Sequence, residues 1–266
     1  MNMVVSKLIM AGFMAVSLLA GCAHERQNSV PEIHSEVRGA HAPTVVFING
    51  NGAALEVWDT VEQEVFDLGY QTFKSDREGF GKSALGARPY SIHNELAALT
   101  SALAKNNLNG DKLIVAHSYG GLLAAMLADT DETVIGVVLV DALIPSEMTP
   151  EYTQSVLEQY QPQYPALREQ APLVAAAIIP VIDGYPKTAS DLANLTWPLQ
   201  LPIISIRASQ STDPENRQRI AAQAHQNLIA ADPDFRTLMQ AAESGHQVMR
   251  DQPEIVVEAI TKLLKP

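Results

Sequence analysis

The chain has 266 residues, enough for one large α/β domain with an insertion. Hydrophobic residues make up 47%, aromatics 6% and charged residues 18%, which excludes a disordered chain and describes a globular fold with an aliphatic core. Thirty acidic against 18 basic residues give a formal net charge of −12, which repels phosphate backbones and argues against nucleic acid as a partner.

At the N-terminus Lys7 precedes an apolar run, Leu8 to Ala20, shorter than the ~20 residues a spanning helix needs, so residues 1–21 read as a signal peptide. The run ends in Leu19-Ala20-Gly21-Cys22, which resembles the lipobox of bacterial lipoproteins. That resemblance implies cleavage before Cys22, which becomes a diacylglyceryl-modified, N-acylated first residue. The chain is then expected on a membrane surface of the bacterial cell envelope, on the periplasmic or extracellular side. An ordinary secretory signal is the alternative. Cys22 is the only cysteine, so once it is lipidated no thiol is left for a disulfide or a metal site. Residues 22–42 are polar and weakly patterned and read as a tether, with at most one short edge strand around Ile33 to Val37.

Thr44 to Ile48 is a continuous apolar, β-branched run, as in a strand buried on both faces of a parallel sheet, and Asn49-Gly50-Asn51-Gly52 ends it. Leu55, Trp58, Val61, Val65 and Leu68 then recur at helical spacing, with Gly69 as a stop. The alternation continues with a strand near Tyr70 to Ser75, a glycine-rich loop, a helix near Ile92 to Lys105 and a strand at Lys112 to Ala116. Further strands are expected at Val134 to Val140, Pro202 to Ala208 and Arg236 to Ala241, and a closing helix at Ile255 to Leu264. This order predicts an α/β fold with a mostly parallel, doubly wound sheet. Between Leu143 and Trp197 the strand rhythm stops and seven of the 16 prolines occur, limiting the stretch to short helices. Residues 143–197 are expected to form a helical lid, inserted after the strand ending near Asp141 into a core of residues 43–142 and 198–266.

Ala116-His117-Ser118-Tyr119-Gly120-Gly121 lies between a buried strand and an apolar helix. That context suits a nucleophile elbow, in which a strained turn exposes a serine hydroxyl. Here the chain resembles the α/β-hydrolase family, with Ala116 in place of the first glycine of GxSxG. The competing reading makes Ser118 an N-cap of its helix. The resemblance extends to Asp76-Arg77-Glu78-Gly79-Phe80-Gly81-Lys82-Ser83, similar to the family's DRxGxGxS loop, and to Gly245-His246 after the last expected strand. Together these features span most of Thr44 to Leu264 in the family's order.

The resemblance implies Ser118 as nucleophile and His246 as its base. His93, His117 and His225 are expected to be structural or exposed. The carboxylate completing the set is expected between serine and histidine in chain order. Asp213, after the strand ending at Ala208, is the preferred acid, and Asp141 is the alternative. Oxyanion donors map onto the amides of Tyr119 and Asn51, with Asn49 where the family usually carries histidine. No HExxH, CxxC or comparable ligand spacing occurs, so neither a metal nor a cofactor is expected. The expected function is hydrolysis of a carboxylic ester of a small-molecule acyl substrate through a serine acyl-enzyme. Amide, peptide or carbon–carbon cleavage and perhydrolysis use the same residues, and a non-catalytic ligand-binding lipoprotein is the reading of a different class. Substrate identity and oligomeric state are not legible.

Overall fold

Seven strands form one sheet in the order β1-β3-β2-β4-β5-β6-β7, and the computed structural model from which this is read describes residues 30–265. Cys22 and the signal segment lie outside the described residues. The strands are β1 (Ser35–Arg38), β2 (Thr44–Ile48), β3 (Gln71–Ser75), β4 (Lys112–His117), β5 (Val134–Val140), β6 (Ile203–Ala208) and β7 (Arg236–Ala241). β1 runs antiparallel to β3, and β2 to β7 are mutually parallel. The segment read as a tether therefore supplies an edge strand: Ser35–Arg38 pairs with β3, and His34 is pinned by Ser83 and Asp76.

Helices fill the intervals: α1 (Asp59–Asp67), α2 (Ile92–Lys105), α3 (Gly120–Thr130), α4 (Pro150–Tyr160), α5 (Tyr164–Gln170), α6 (Pro172–Asp183), α7 (Tyr185–Asp191), α8 (Glu215–Ala230), α9 (Val248–Asp251) and α10 (Pro253–Leu264). Successive residues of each strand point to opposite faces of the sheet, and the buried clusters follow that period of two. Val45 and Phe47 of β2, Leu113 and Val115 of β4 and Val138 and Val140 of β5 pack with Trp58, Val61, Val256 and Ile260 under α1 and α10. Val46, Ile48, Ile114, Ala116, Val137 and Leu139 face the other way, onto Leu99, Leu122 and Leu228 of α2, α3 and α8. Continuous apolar strands are what a sheet covered on both faces requires.

Between β5 and β6 the chain forms the four helices α4 to α7. Pro150, Pro165, Pro172 and Pro186 each fall in the first turn of one of them, where a missing N–H costs nothing. Their inner faces contribute Val156, Tyr164, Ala175, Ile179 and Ile182 to the same cluster as α2 and α3. Among the described residues no helix is long and apolar enough to cross a membrane.

Candidate active site

β4 is buried along its whole length and delivers the chain to Ser118, whose φ of +51° is in the left-handed region that non-glycine residues rarely adopt. The turn is enforced by crowding. A Cβ on Gly120 would lie 2.7 Å from the Ile48 carbonyl oxygen and 2.8 Å from that of Asn49, and one on Gly121 would meet Ala142 Cβ at 2.8 Å. The Ser118 carbonyl accepts from the amides of Gly121 (3.0 Å) and Leu143 (2.8 Å), holding the turn against the end of β5. Helix α3 has Tyr119 as its N-cap and no side-chain capping bond, so Ser118 does not cap it. Ala116 is fully buried at the first position of the motif.

His246 lies in the loop between β7 and α9, and its Nδ1 is 2.7 Å from Asp141 Oδ2. Asp141 follows β5 directly, with φ +41°, and its Oδ1 accepts from the Ala208 amide at 3.1 Å. Arg207 Nη1 lies 3.6 Å from the same carboxylate. Burial by itself pushes this carboxyl up. The His246 hydrogen bond, the Arg207 charge and the Ala208 amide outweigh it and hold Asp141 below the usual carboxylate range.

The preferred acid of the sequence, Asp213, is elsewhere. It is in the loop after β6, exposed, and its Oδ1 accepts from Arg217 Nη2 at 2.5 Å on the first turn of α8. That pairing, four residues apart along the chain, turns the carboxylate toward α8 and leaves His246 to Asp141. Asp213 still borders the same cleft, of about 460 Å³ with its open mouth included, as do Ser118, His246, Arg217, Tyr152 and Tyr185. Among the described residues no hydrogen bond joins Ser118 to His246. Such contacts commonly close only when substrate is bound.

Gly50 brings the loop after β2 onto the elbow: a Cβ there would be 2.8 Å from both His117 Nδ1 and Ser118 Cβ. The amides of the next residue, Asn51, and of Tyr119 have no protein acceptor among the described residues. Asn49 is a buried joint. Its side chain accepts from Trp58 Nε1 (2.7 Å) and donates to the Ser75 carbonyl (3.0 Å), tying β2, β3 and the turn before α1 together. Asp76 is buried and accepts from the amides of Leu55 (2.8 Å) and Lys82 (2.9 Å), so the DRxGxGxS loop braces this same region.

Two histidines contribute in ways the sequence did not signal. His117 is buried, its Nε2 donates to the His246 carbonyl at 2.9 Å, and its ring lies 4.6 Å from that of His246. Burial, followed by the neighbouring His246, pushes its pKa down to about 3, so it is neutral and cannot place a second positive charge beside His246. His225 is buried between Ser205 Oγ (2.7 Å from Nδ1) and Glu147 Oε1 (2.9 Å from Nε2), and fastens α8 to the base of the lid. His93 is exposed, 3.7 Å from Asp191. The Tyr119 side chain projects under the lid, where its hydroxyl is 2.7 Å from that of Tyr90 and its ring lies under Arg77. Arg77 makes a two-pronged bond to Glu95 at 2.6 and 2.8 Å. Among the described residues no three His, Cys, Asp or Glu side chains converge in a way that could hold a metal ion.

A strained serine at a strand-to-helix turn, a histidine beyond the last strand and a carboxylate at the end of β5, on a parallel sheet with one antiparallel edge strand, define the α/β-hydrolase class of fold. The sequence profile of the alpha/beta hydrolase family matches residues 45–259, and the chain belongs to that family. A relative, the esterase Rv0045c of Mycobacterium tuberculosis, is 26% identical over 266 residues, covering 85% of this chain and 84% of its own. Among solved structures, the Exiguobacterium antarcticum esterase EaEST superimposes with a TM-score of 0.61 at 18% identity, covering 88% of this chain and 96% of its own. The Paleococcus ferrophilus monoacylglycerol lipase does so with a TM-score of 0.60 at 17% identity, covering 87% of this chain and 98% of its own.

Proposed function

We propose that the chain hydrolyses carboxylic esters through an acyl-enzyme on Ser118, with His246 as base and Asp141 as the residue that orients it. The observation that carries the reading is the 2.7 Å bond from Asp141 to His246 Nδ1 in the cleft onto which the strained Ser118 turn opens. With its Nδ1 proton committed to Asp141, the imidazole presents an unprotonated Nε2 to take the serine proton as Oγ attacks the carbonyl carbon. Asp141 then stabilises the imidazolium without accepting its proton. The amides of Tyr119 and Asn51 donate to the oxyanion, and His246 returns the proton to the leaving alcohol. Water, deprotonated by the same histidine, releases the acid and restores Ser118. The names of the relative from M. tuberculosis and of the two structural neighbours support an ester over other acyl bonds.

A fluorophosphonate probe is expected to label Ser118 in the native protein and to miss Ser118→Ala. The variant is expected to lose short-chain ester turnover by at least about 10³-fold. Retention of full activity by a folded Ser118→Ala protein would reject the assignment.

We also propose that Cys22 is diacylated and holds the mature chain on the cell-envelope membrane. The support is the Leu19-Ala20-Gly21-Cys22 sequence after the apolar run. Labelled palmitate is expected in the wild-type chain and not in Cys22→Ala.

A further inference from the structure

Arg217, on the first turn of α8, shares a cleft with Ser118 and His246 and takes no part in the proposed chemistry. Its side chain is 3% exposed, yet the guanidinium is only partly satisfied. Nη2 donates to Asp213 Oδ1 at 2.5 Å and to Gln159 Oε1 at the end of α4, while the buried Nε has no partner among the described residues. Buried guanidinium groups are ordinarily paired and fully hydrogen-bonded, because an unmet donor has given up its hydration for nothing. The one ionised partner of Arg217, Asp213, is 46% exposed on the rim of the cleft.

The other charged groups of the cleft wall are engaged within the protein. Asp141 accepts from His246 and from the Ala208 amide, with Arg207 3.6 Å away. Glu147 accepts from the Ile144 amide at 3.2 Å and lies 2.9 Å from His225 Nε2. Carboxylates and guanidiniums on this wall are close to balance, so it is the unmet donor capacity of Arg217, and not net charge, that marks a ligand position. The remaining lining is mostly polar, with Tyr152, Tyr185, Ser211 and Gln218 beside Ala142, Leu143 and Ala221. Such a wall suits a short, polar substrate and gives a long acyl chain little to pack against.

We infer that Arg217 binds a carboxylate of the substrate, so that the favoured substrates are short esters with a carboxylate on their acyl or alcohol part. A planar guanidinium matches a carboxylate in shape and charge. Asp213 is the internal stand-in: in the free protein its carboxylate already holds Nη2, and a substrate carboxylate joins or displaces it. As a reaction the inference rests on the ester reading; as a binding site it rests on Arg217 alone. A purely structural Arg217, tying α8 to α4 through Gln159, would serve charged and uncharged esters alike.

Two substrate series test it, with the carboxylate on the acyl side in mono-para-nitrophenyl glutarate and on the alcohol side in the butyrate ester of β-hydroxypropanoate. Each is compared with its own methyl ester and with an uncharged isostere, para-nitrophenyl valerate or propyl butyrate, by release of nitrophenol or butyrate. Wild type is expected to favour the free carboxylate over both controls in at least one series, by at least about tenfold in kcat/KM and mostly through KM. R217Q is expected to remove that preference and R217K to keep part of it. D213N, which frees the guanidinium, is expected to lower KM for the carboxylate ester about fivefold. Calorimetry of glutarate binding to Ser118→Ala protein is expected to show at least about tenfold weaker binding once R217Q is added. That measurement needs no turnover, so absence of all Ser118-dependent hydrolysis would reject the ester reading while calorimetry still decides the carboxylate site. No preference for the carboxylate in either series, the same preference in folded R217Q, or glutarate binding that R217Q leaves unchanged would each overturn the inference. If R217Q does not fold, a D213N KM at the wild-type value overturns it.

Discussion

Ser118 and Asp141 are both held at positive φ, and both occur where a parallel strand ends and the chain must turn at once. Such strain of about 1–3 kcal/mol persists only where the surroundings over-determine the backbone, here by the Ser118 carbonyl bonds and the contacts of Gly120 and Gly121. On the proposed assignment, Asp141→Asn leaves the fold and is expected to cost about 10⁴-fold in turnover, by favouring the wrong tautomer of His246. Asp213→Asn, which loses only an exposed pairing with Arg217, is expected to stay within the same order of magnitude as wild type. Steady-state kinetics on one ester separates the two acids, and equal losses would remove the distinction.

His117 supplies a second test at this scale. Its folded pKa is depressed to about 3, so the stability it contributes is present above the unfolded value of about 6.5 and is lost as pH falls toward 3. Urea unfolding of wild type is therefore expected to weaken by up to about 1.4 kcal/mol per pH unit across that window from this residue. His117→Gln is expected to flatten that slope. Glu78 has the opposite sign. Burial, then the nearby Glu95, raises its carboxyl to about 7, and its Oε1 has no partner, so its stabilising contribution is complete below about 4.5 and is lost as pH rises through 7. Glu78→Gln is expected to be more stable than wild type at pH 8 by on the order of 2 kcal/mol and to show no such gain at pH 4.

At the scale of elements, the central strands were legible because they are buried on both faces of the sheet and read as apolar stretches. Thr44–Ile48 and Val134–Val140 are such cases. The edge strand Ser35–Arg38 was hard to separate from a tether, since its SEVR sequence is polar and only one partner strand stabilises it. The helices of the lid were foreshadowed by proline, which suits a first turn; Pro180 is the exception, inside α6 three residues before its end. The Arg77–Glu95 pair joins β3's loop to α2 over the Tyr119 ring, and no sequence pattern links residues 18 apart. Removing one partner of such a buried pair leaves an uncompensated charge, so Glu95→Leu is expected to cost about 3–5 kcal/mol, measured by chemical denaturation.

At the scale of the whole molecule, the lid shares its apolar cluster with α2 and α3, so it is part of the core and not an appended unit. Thermal unfolding is accordingly expected to give coincident near- and far-UV circular dichroism transitions. An earlier, separate loss of helix would instead make the lid an independent folding unit.

The sequence by itself determined the order of strands and helices, the doubly covered sheet, the elbow at Ser118 and the position of His246 after the last strand. These depend on local periodicity and on motifs a few residues long. Only the tertiary structure decided which carboxylate His246 meets. Asp141 and Asp213 both follow strands and both border the cleft, and the choice depends on how the turn after β5 aims one side chain while Arg217 captures the other. The same holds for His117 behind His246 and for the outward turn of Leu173 and Val174 on α6, since contacts between distant segments and the solvent-facing side of a helix apolar up to its last residue are settled by packing.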